Sequence, residues 1–165
     1  MGLIKYLVGD VTTPDIKEKK GGIIAHVCND VDAWGSGVVL AISRKWKQPE
    51  VEFHRIPKNN RKVGYVQFIP VGSNFFVANM IAQNGLRFND FGVPAVNYAA
   101  IEVALNKTAN FADSLNIDIH MPRIGCGLGG GSWEVVELII LRVLRNHKCD
   151  VYVYDLKEND ESYNK

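Results

Sequence analysis

The sequence predicts a three-layer α/β/α fold, a mixed and mostly parallel sheet of about six strands with helices on both faces. Three observations carry that expectation. Short β-rich apolar runs alternate with segments of helical spacing from one end of the chain to the other. One pair of strand-like runs is separated by little more than Val71-Gly72-Ser73, the mark of a hairpin inside an otherwise alternating order. The 165 residues, 47% hydrophobic and 22% charged, suffice for one core and give no sign of a linker or an internal repeat.

Taken in order, "LIKYLV" is the first strand and stops at Gly9-Asp10, and "GIIAHVC" is a second, wholly apolar one. "GVVLAISRKW" has helical spacing and is expected to end near Lys47. "QPEVEFHRIPKNNRK" is polar, carries two prolines and reads as a surface connection. "VGYVQFIP" and "NFFVANMIA" form the hairpin. The longest helix spans residues 93–115, with Pro94 in its first turn and Ala99, Val103 and Leu105 in its apolar stripe. "IDIHMPRI" is a strand, "SWEVVELIILRVLRN" a helix capped by Ser132, and "DVYVYDL" the closing strand. One domain over residues 1–156 results, followed by a charged tail, 157–165, expected to fray.

Bulk properties exclude several classes. A net charge of +1 gives no field for duplex nucleic acid or a membrane surface, and no run reaches membrane-spanning length. The opening residues lack the apolar core of a leader. Cys28, Cys126 and Cys149 form no CxxC pair, which argues for reduced thiols and a cytoplasmic setting. His26, His54, His120 and His147 show no metal-binding spacing with them, so neither metal nor cofactor is expected.

Chemistry-bearing residues gather at strand ends: Asp10, Cys28-Asn29-Asp30, Ile124-Gly125 and Tyr154-Asp155. Parallel strands would bring them to one cleft, beyond the carboxyl edge where such sheets bind ligands. Between a strand and a helix lies "GCGLGGG", residues 125–131. A plain turn rarely needs that much glycine, whereas bare amides at a helix start attract anions. "WGSG", residues 34–37, repeats the layout after the second strand, and two such loops can grip a diphosphate from both sides. Gly125-x-Gly127-x-x-Gly130 also matches a dinucleotide fingerprint, with Asp155 as its distant acid, but too little chain follows for a two-halved nicotinamide fold. Asn29 is either an Asx-turn residue or a partner for a sugar hydroxyl; Asp10 either caps its loop or accepts from an adenine amino group.

Five segments in this order, "GDVT", "IIAHVCND", "WGSGVVLAI", "MPRIGCGLGGGSWE" and "VYVYDL", resemble the macrodomain family of ADP-ribose-binding modules. Their details are similar to the branch holding the terminal ADP-ribose protein glycohydrolase and the yeast-type ADP-ribose-1″-phosphate phosphatase. The resemblance implies that Asp10 and the Val11 amide meet adenine, Asn29 meets the distal ribose, and Tyr154 is the aromatic against the base. It implies that Gly35, Gly37 and Val38 form one wall of a phosphate groove and Gly125, Cys126, Gly127, Leu128 and Gly129 the other. Its implied partner is ADP-ribose, a derivative, or an ADP-ribosylated protein. Two hydrolase signatures are missing: Val39 stands where one branch has aspartate, and Gly129 where the other does, with no lysine in "NMIAQNG". Three readings follow. The first is a phosphatase acting on ADP-ribose-1″-phosphate, with His26 as acid–base and Asp30 and Asp32 as alternatives. The second is a non-catalytic reader of ADP-ribose or ADP-ribosylated protein, with a de-ADP-ribosylating hydrolase of non-standard site as a further alternative, and the third, more distant, is a nicotinamide-dependent enzyme.

Overall fold

The computed structural model describes residues 1–16, 19, 21–86 and 92–163. Six strands form one sheet: β1 Ile4–Val8, β2 Gly22–Asn29, β3 Val66–Gly72, β4 Phe75–Gln83, β5 Ile119–Met121 and β6 Val151–Asp155. Their spatial order is β1-β6-β5-β2-β4-β3. Every adjacent pair is parallel except the β3–β4 hairpin, where Phe68 faces Ala78 across an antiparallel ladder. The mixed, mostly parallel sheet expected from the sequence is therefore present.

Alternation along the strands divides the core into two faces. Ile23 and Ala25 of β2, Ala78 and Met80 of β4, and Val151 and Val153 of β6 point to one side. There they meet α3 (Tyr98–Leu115) through Ala104 and Leu105, and α4 (Trp133–Leu144) through Ile139 and Ile140. The opposite face carries Ile24, Val77, Tyr152 and Tyr154, covered by Ile42 of α1 (Val38–Lys45). Further along that face, Cys28 and Ile81 lie beneath Phe53 of α2 (Gln48–His54).

Several local expectations are corrected. Residues 48–62 hold α2, not only a connection: Pro49 occupies its first turn, where a missing N–H costs nothing, and Phe53 is fully buried. Helix α1 ends at Lys45, with the Trp46 N–H donating back to the Ile42 carbonyl. Helix α3 begins at Tyr98, because Asn97 is its cap and accepts from the Ala100 N–H at 2.9 Å; Pro94 lies before it. Its buried stripe contains Ala100, Ile101, Ala104 and Leu105, while Ala99 and Val103 are exposed. Strand β5 stops at Met121 because Pro122 has no N–H for the ladder. Ser132 does precede α4, although its side chain makes no capping bond.

The apolar face is continuous, but the α1/α2 face contains polar groups at its centre. His26 Nε2 donates to Asn79 Oδ1 at 2.6 Å, and Asn79 Nδ2 donates to the Pro49 carbonyl and to Gln67 Oε1. His120 stacks on Tyr152, and its Nδ1 lies 2.8 Å from the Tyr154 hydroxyl, which accepts the Asp15 N–H. Burial lowers both imidazoles from 6.5 to about 4, so both are neutral near pH 7. No helix among the described residues is long and apolar enough to cross a membrane.

Candidate functional site

The topology opens a crevice. β2 and β5 are parallel neighbours, yet β2 continues to α1 on one face of the sheet and β5 continues to α4 on the other. The loops leaving them must diverge, which is the switch-point geometry where open α/β sheets take ligands. A cleft of about 440 Å³ lies there. Residues 35–39 form one wall and Arg123, Gly125, Gly127, Leu128 and Gly129 the other; Val27, Asn29 and Gln83 line the strand ends between them.

Both walls are built from bare backbone. Gly37 caps α1 at φ +81° without a side-chain bond; Leu40 N donates to its carbonyl at 3.1 Å, while the Val38 and Val39 amides have no protein acceptor among the described residues. In the facing loop, Gly131 N donates to the Gly125 carbonyl at 2.8 Å and Gly130 N to the Gly127 carbonyl at 3.1 Å. A third bond, from Val96 N to the Gly129 carbonyl at 3.1 Å, ties the loop to the segment before α3. Among the described residues, the amides of Gly127, Leu128 and Gly129 have no protein acceptor. The loop is thus held rigid by its own carbonyls while its donors stay available, the arrangement an anion needs.

The glycines have different reasons. Gly125 has φ +73°, and a Cβ there would meet Val96 at 2.9 Å. A Cβ at Gly131 would meet the Gly125 carbonyl oxygen at 2.6 Å. Gly127 has neither restriction: its φ is not left-handed, and nothing lies within 4 Å of a Cβ built on it. Its open side is the cleft itself.

Of the remaining sequence-derived candidates, Asn29 lines the cleft, whereas Asp10, Val11 and Cys126 are not among its lining residues; Val11 is joined to it through Tyr163, which lines the cleft. Asn29 forms an Asx turn, with Oδ1 accepting from Val31 N and Ala33 N and Nδ2 donating to the Ala33 carbonyl. One of its two amide hydrogens is left over for a ligand. Asp10 Oδ1 accepts from Thr12 N and Oγ1, both at 2.8 Å, which leaves its other oxygen without a partner among the described residues. The neighbouring Val11 N–H donates to the Tyr163 hydroxyl at 3.2 Å. Cys126 stands in the glycine loop with its thiol raised by burial and donating to the Ile124 carbonyl, so it is not an activated nucleophile.

His26 borders the cleft only from beneath, since none of its surface is exposed. Asp30 accepts from Gly85 N at 2.8 Å and Asn84 Nδ2 at 3.2 Å, pinning the turn after β4. Asp32, at φ +62°, holds His54 at 2.7 Å and Arg61 at 3.3 Å. Asp30 and Asp32 line a different, shallower depression with Ile56, Lys58 and Arg61. The three acid–base candidates are not brought together at the cleft. Among the described residues, no cluster of three metal-ligating side chains exists.

Tyr154 is 5% exposed and committed to His120 and Asp15, so it does not reach the cleft. Two aromatics do, Trp34 of the first glycine loop and Tyr163. Tyr163 belongs to the tail expected to fray, of which residues 164 and 165 lie outside the described residues. Sequence reasoning also missed Gln83 and Arg123. Gln83 ends β4 in the cleft, and its Oε1 stands 2.9 Å from the point where a Cβ on Gly129 would lie. Arg123 is clamped by both oxygens of Asp155, at 2.7 and 3.0 Å. The signal for Gln83 was positional: it is the polar residue terminating an apolar strand parallel to β2.

No family model matches the chain. Among curated proteins it is 26% identical to an ADP-ribose 1″-phosphate phosphatase from Candida albicans, over 92% of this chain and 99% of that one. Among solved structures it is similar to a protein of unknown function from Bacteroides thetaiotaomicron, 41% identical with a TM-score of 0.88, covering 94% of this chain and 99% of that one. It also matches the macrodomain protein from Streptomyces coelicolor with a TM-score of 0.79, covering 92% of this chain and 98% of that one. With 41% identity to that macrodomain along nearly its whole length, and with the two glycine loops facing each other at the switch point, the chain belongs to the macrodomain family.

Proposed function

We propose that this macrodomain binds ADP-ribose and removes the 1″-phosphate from ADP-ribose-1″-phosphate. The observation that carries the reading is the pair of glycine walls, with amides that have no acceptor among the described residues, around a cleft of about 440 Å³, a shape and charge pattern for a diphosphate between two sugars. The Candida albicans relative, named for that dephosphorylation and matched nearly end to end, supports the substrate. In this reading Asp10 and Val11 hold the base, Asn29 the distal ribose, and Gly35, Gly37, Val38, Gly125, Cys126, Gly127, Leu128 and Gly129 the diphosphate.

Water adds to phosphorus, the P–O bond to the ribose oxygen breaks, and a proton passes to that oxygen. Positioning and backbone electrostatics supply most of such catalysis. His26, Asp30 and Asp32 are each committed to protein partners. His26→Gln is therefore expected to change turnover by less than about tenfold, below the roughly 10²–10⁴ that an acid–base group contributes. Phosphate release from ADP-ribose-1″-phosphate by wild type and variant measures this, and a larger loss would make His26 the acid–base group.

The same commitment of those three side chains favours a second reading, a non-catalytic reader of ADP-ribose or of ADP-ribosylated protein. Phosphate release no faster than the buffer blank, with ADP-ribose still bound in calorimetric titration, selects the reader. Asp10→Ala is expected to weaken ADP-ribose about tenfold to a hundredfold in that titration, the size of one charge-assisted hydrogen bond. Unchanged affinity would remove Asp10 from the base site.

A further inference from the structure

We propose that the C-terminal tail is a built-in competitor for the base end of the cleft, with the Tyr163 hydroxyl seated on the Val11 amide that an incoming purine must take. The inference rests on the ADP-ribose reading of the cleft.

Asp10 and Val11 present an adjacent acceptor and donor at the end of the sheet: a carboxylate oxygen without a partner among the described residues, and a backbone N–H. That pair is complementary to the edge of an aminopurine, whose exocyclic amino group donates and whose neighbouring ring nitrogen accepts. In this structure the N–H is already used, because Tyr163 accepts from it at 3.2 Å. The tail is folded to deliver that contact. Asp160 N donates to the Lys157 carbonyl at 3.0 Å and Ser162 N to Asp160 Oδ1 at 2.9 Å, closing a compact turn. Arg44 of α1 donates to the Ser162 carbonyl, fixing the turn beside the residue that enters the cleft. The Tyr163 ring then packs on the cluster containing Val11, Ile42 and Tyr154 and lines the cleft. Burial raises its phenol to about 12, so it stays protonated and meets the amide as a neutral oxygen that a ring nitrogen can replace.

These contacts lie outside the sheet and its two core layers, so the tail can open locally without unfolding the domain. The carboxylate remains open while the tail is down, so a purine can engage Asp10 first and then take over the amide as Tyr163 leaves.

The test uses the full chain and three proteins: wild type, Tyr163→Phe and Tyr163→Ala. Each is titrated with ADP-ribose and with ribose 5-phosphate, which lacks the base. Both variants are expected to bind ADP-ribose about two- to tenfold more tightly than wild type, the size of one net backbone hydrogen bond, with ribose 5-phosphate unaffected. In amide NMR spectra of wild type, ADP-ribose should narrow the resonances of residues 157–163 as the tail is freed. Weaker binding by Tyr163→Ala together with broadened or newly protected tail resonances would overturn the proposal, since the tail would then clamp the ligand. Unchanged affinity in both variants would overturn it as well. Failure of all three proteins to bind ADP-ribose would overturn the ADP-ribose reading itself, and the competition with it.

Discussion

Gly127→Val is expected to leave the protein folded and to lower ADP-ribose affinity by at least about a hundredfold. One reason for glycine at this position would be a backbone angle closed to valine. The structure removes that reason, since φ at Gly127 is not left-handed and a Cβ there meets nothing within 4 Å. What the valine fills is the cleft, beside the Leu128 and Gly129 amides, which have no acceptor among the described residues. Gly131→Val is the contrasting variant. Its Cβ would lie 2.6 Å from the Gly125 carbonyl oxygen, so the loop itself must shift, and both affinity and stability should fall. Circular dichroism melting and calorimetric titration of the two variants separate the effects. A Gly127→Val protein that melts as wild type and binds ADP-ribose equally well would show that the second glycine loop is only a turn.

Acid should destabilise the fold well above the range where carboxylates protonate. His26 and His120 are fully buried, and their folded values of about 4 lie below the ordinary 6.5. The unfolded chain takes up their protons near pH 6.5 and the folded chain does not. The stability they allow is therefore present above pH 6.5 and lost as pH falls towards 4. Between pH 7 and pH 5 each ring is expected to remove ~2 kcal/mol from the unfolding free energy. His54 works in the other sense: its bond to Asp32, although opposed by some burial, raises it, so its contribution is present at low pH and lost as pH rises through its folded value. At 41% side-chain exposure that contribution is screened and small. Urea unfolding of wild type and of a His26→Gln, His120→Gln double variant at pH 7 and pH 5 measures the difference. Equal pH dependence in both proteins would exclude the two histidines as its source.

The strand order of chemistry along the chain was legible because each strand of the parallel set ends in residues that a core cannot use. Asn29 and Gly125 interrupt apolar runs, and that interruption marks the carboxyl edge in the sequence itself. Helix α2 was not legible, because two prolines look like breakers unless one is known to sit in a first turn, and because a single Phe53 carries its packing. In the stripe of α3, Leu105 is buried as expected, but Ala99 and Val103 miss it by one position for a related reason: alanine fills most of the buried face, and alanine leaves little contrast between faces. Tyr154 and Tyr163 show a third limit. Both are tyrosines near the end of the chain, and only tertiary packing decides that one is tied to Asp15 and His120 while the other reaches the cleft.

The two cleft walls belong to opposite outer layers of the sandwich, one continuing into α1 and the other into α4. A ligand that accepts from both sets of amides is therefore a cross-link between layers that lie on opposite faces of the sheet. Peeling either layer away would cost the intralayer packing and the bridge together. Occupancy should accordingly slow global unfolding more than it stiffens either loop alone, and the ligand-bound protein should resist proteases even at α1 and α4 positions far from the cleft.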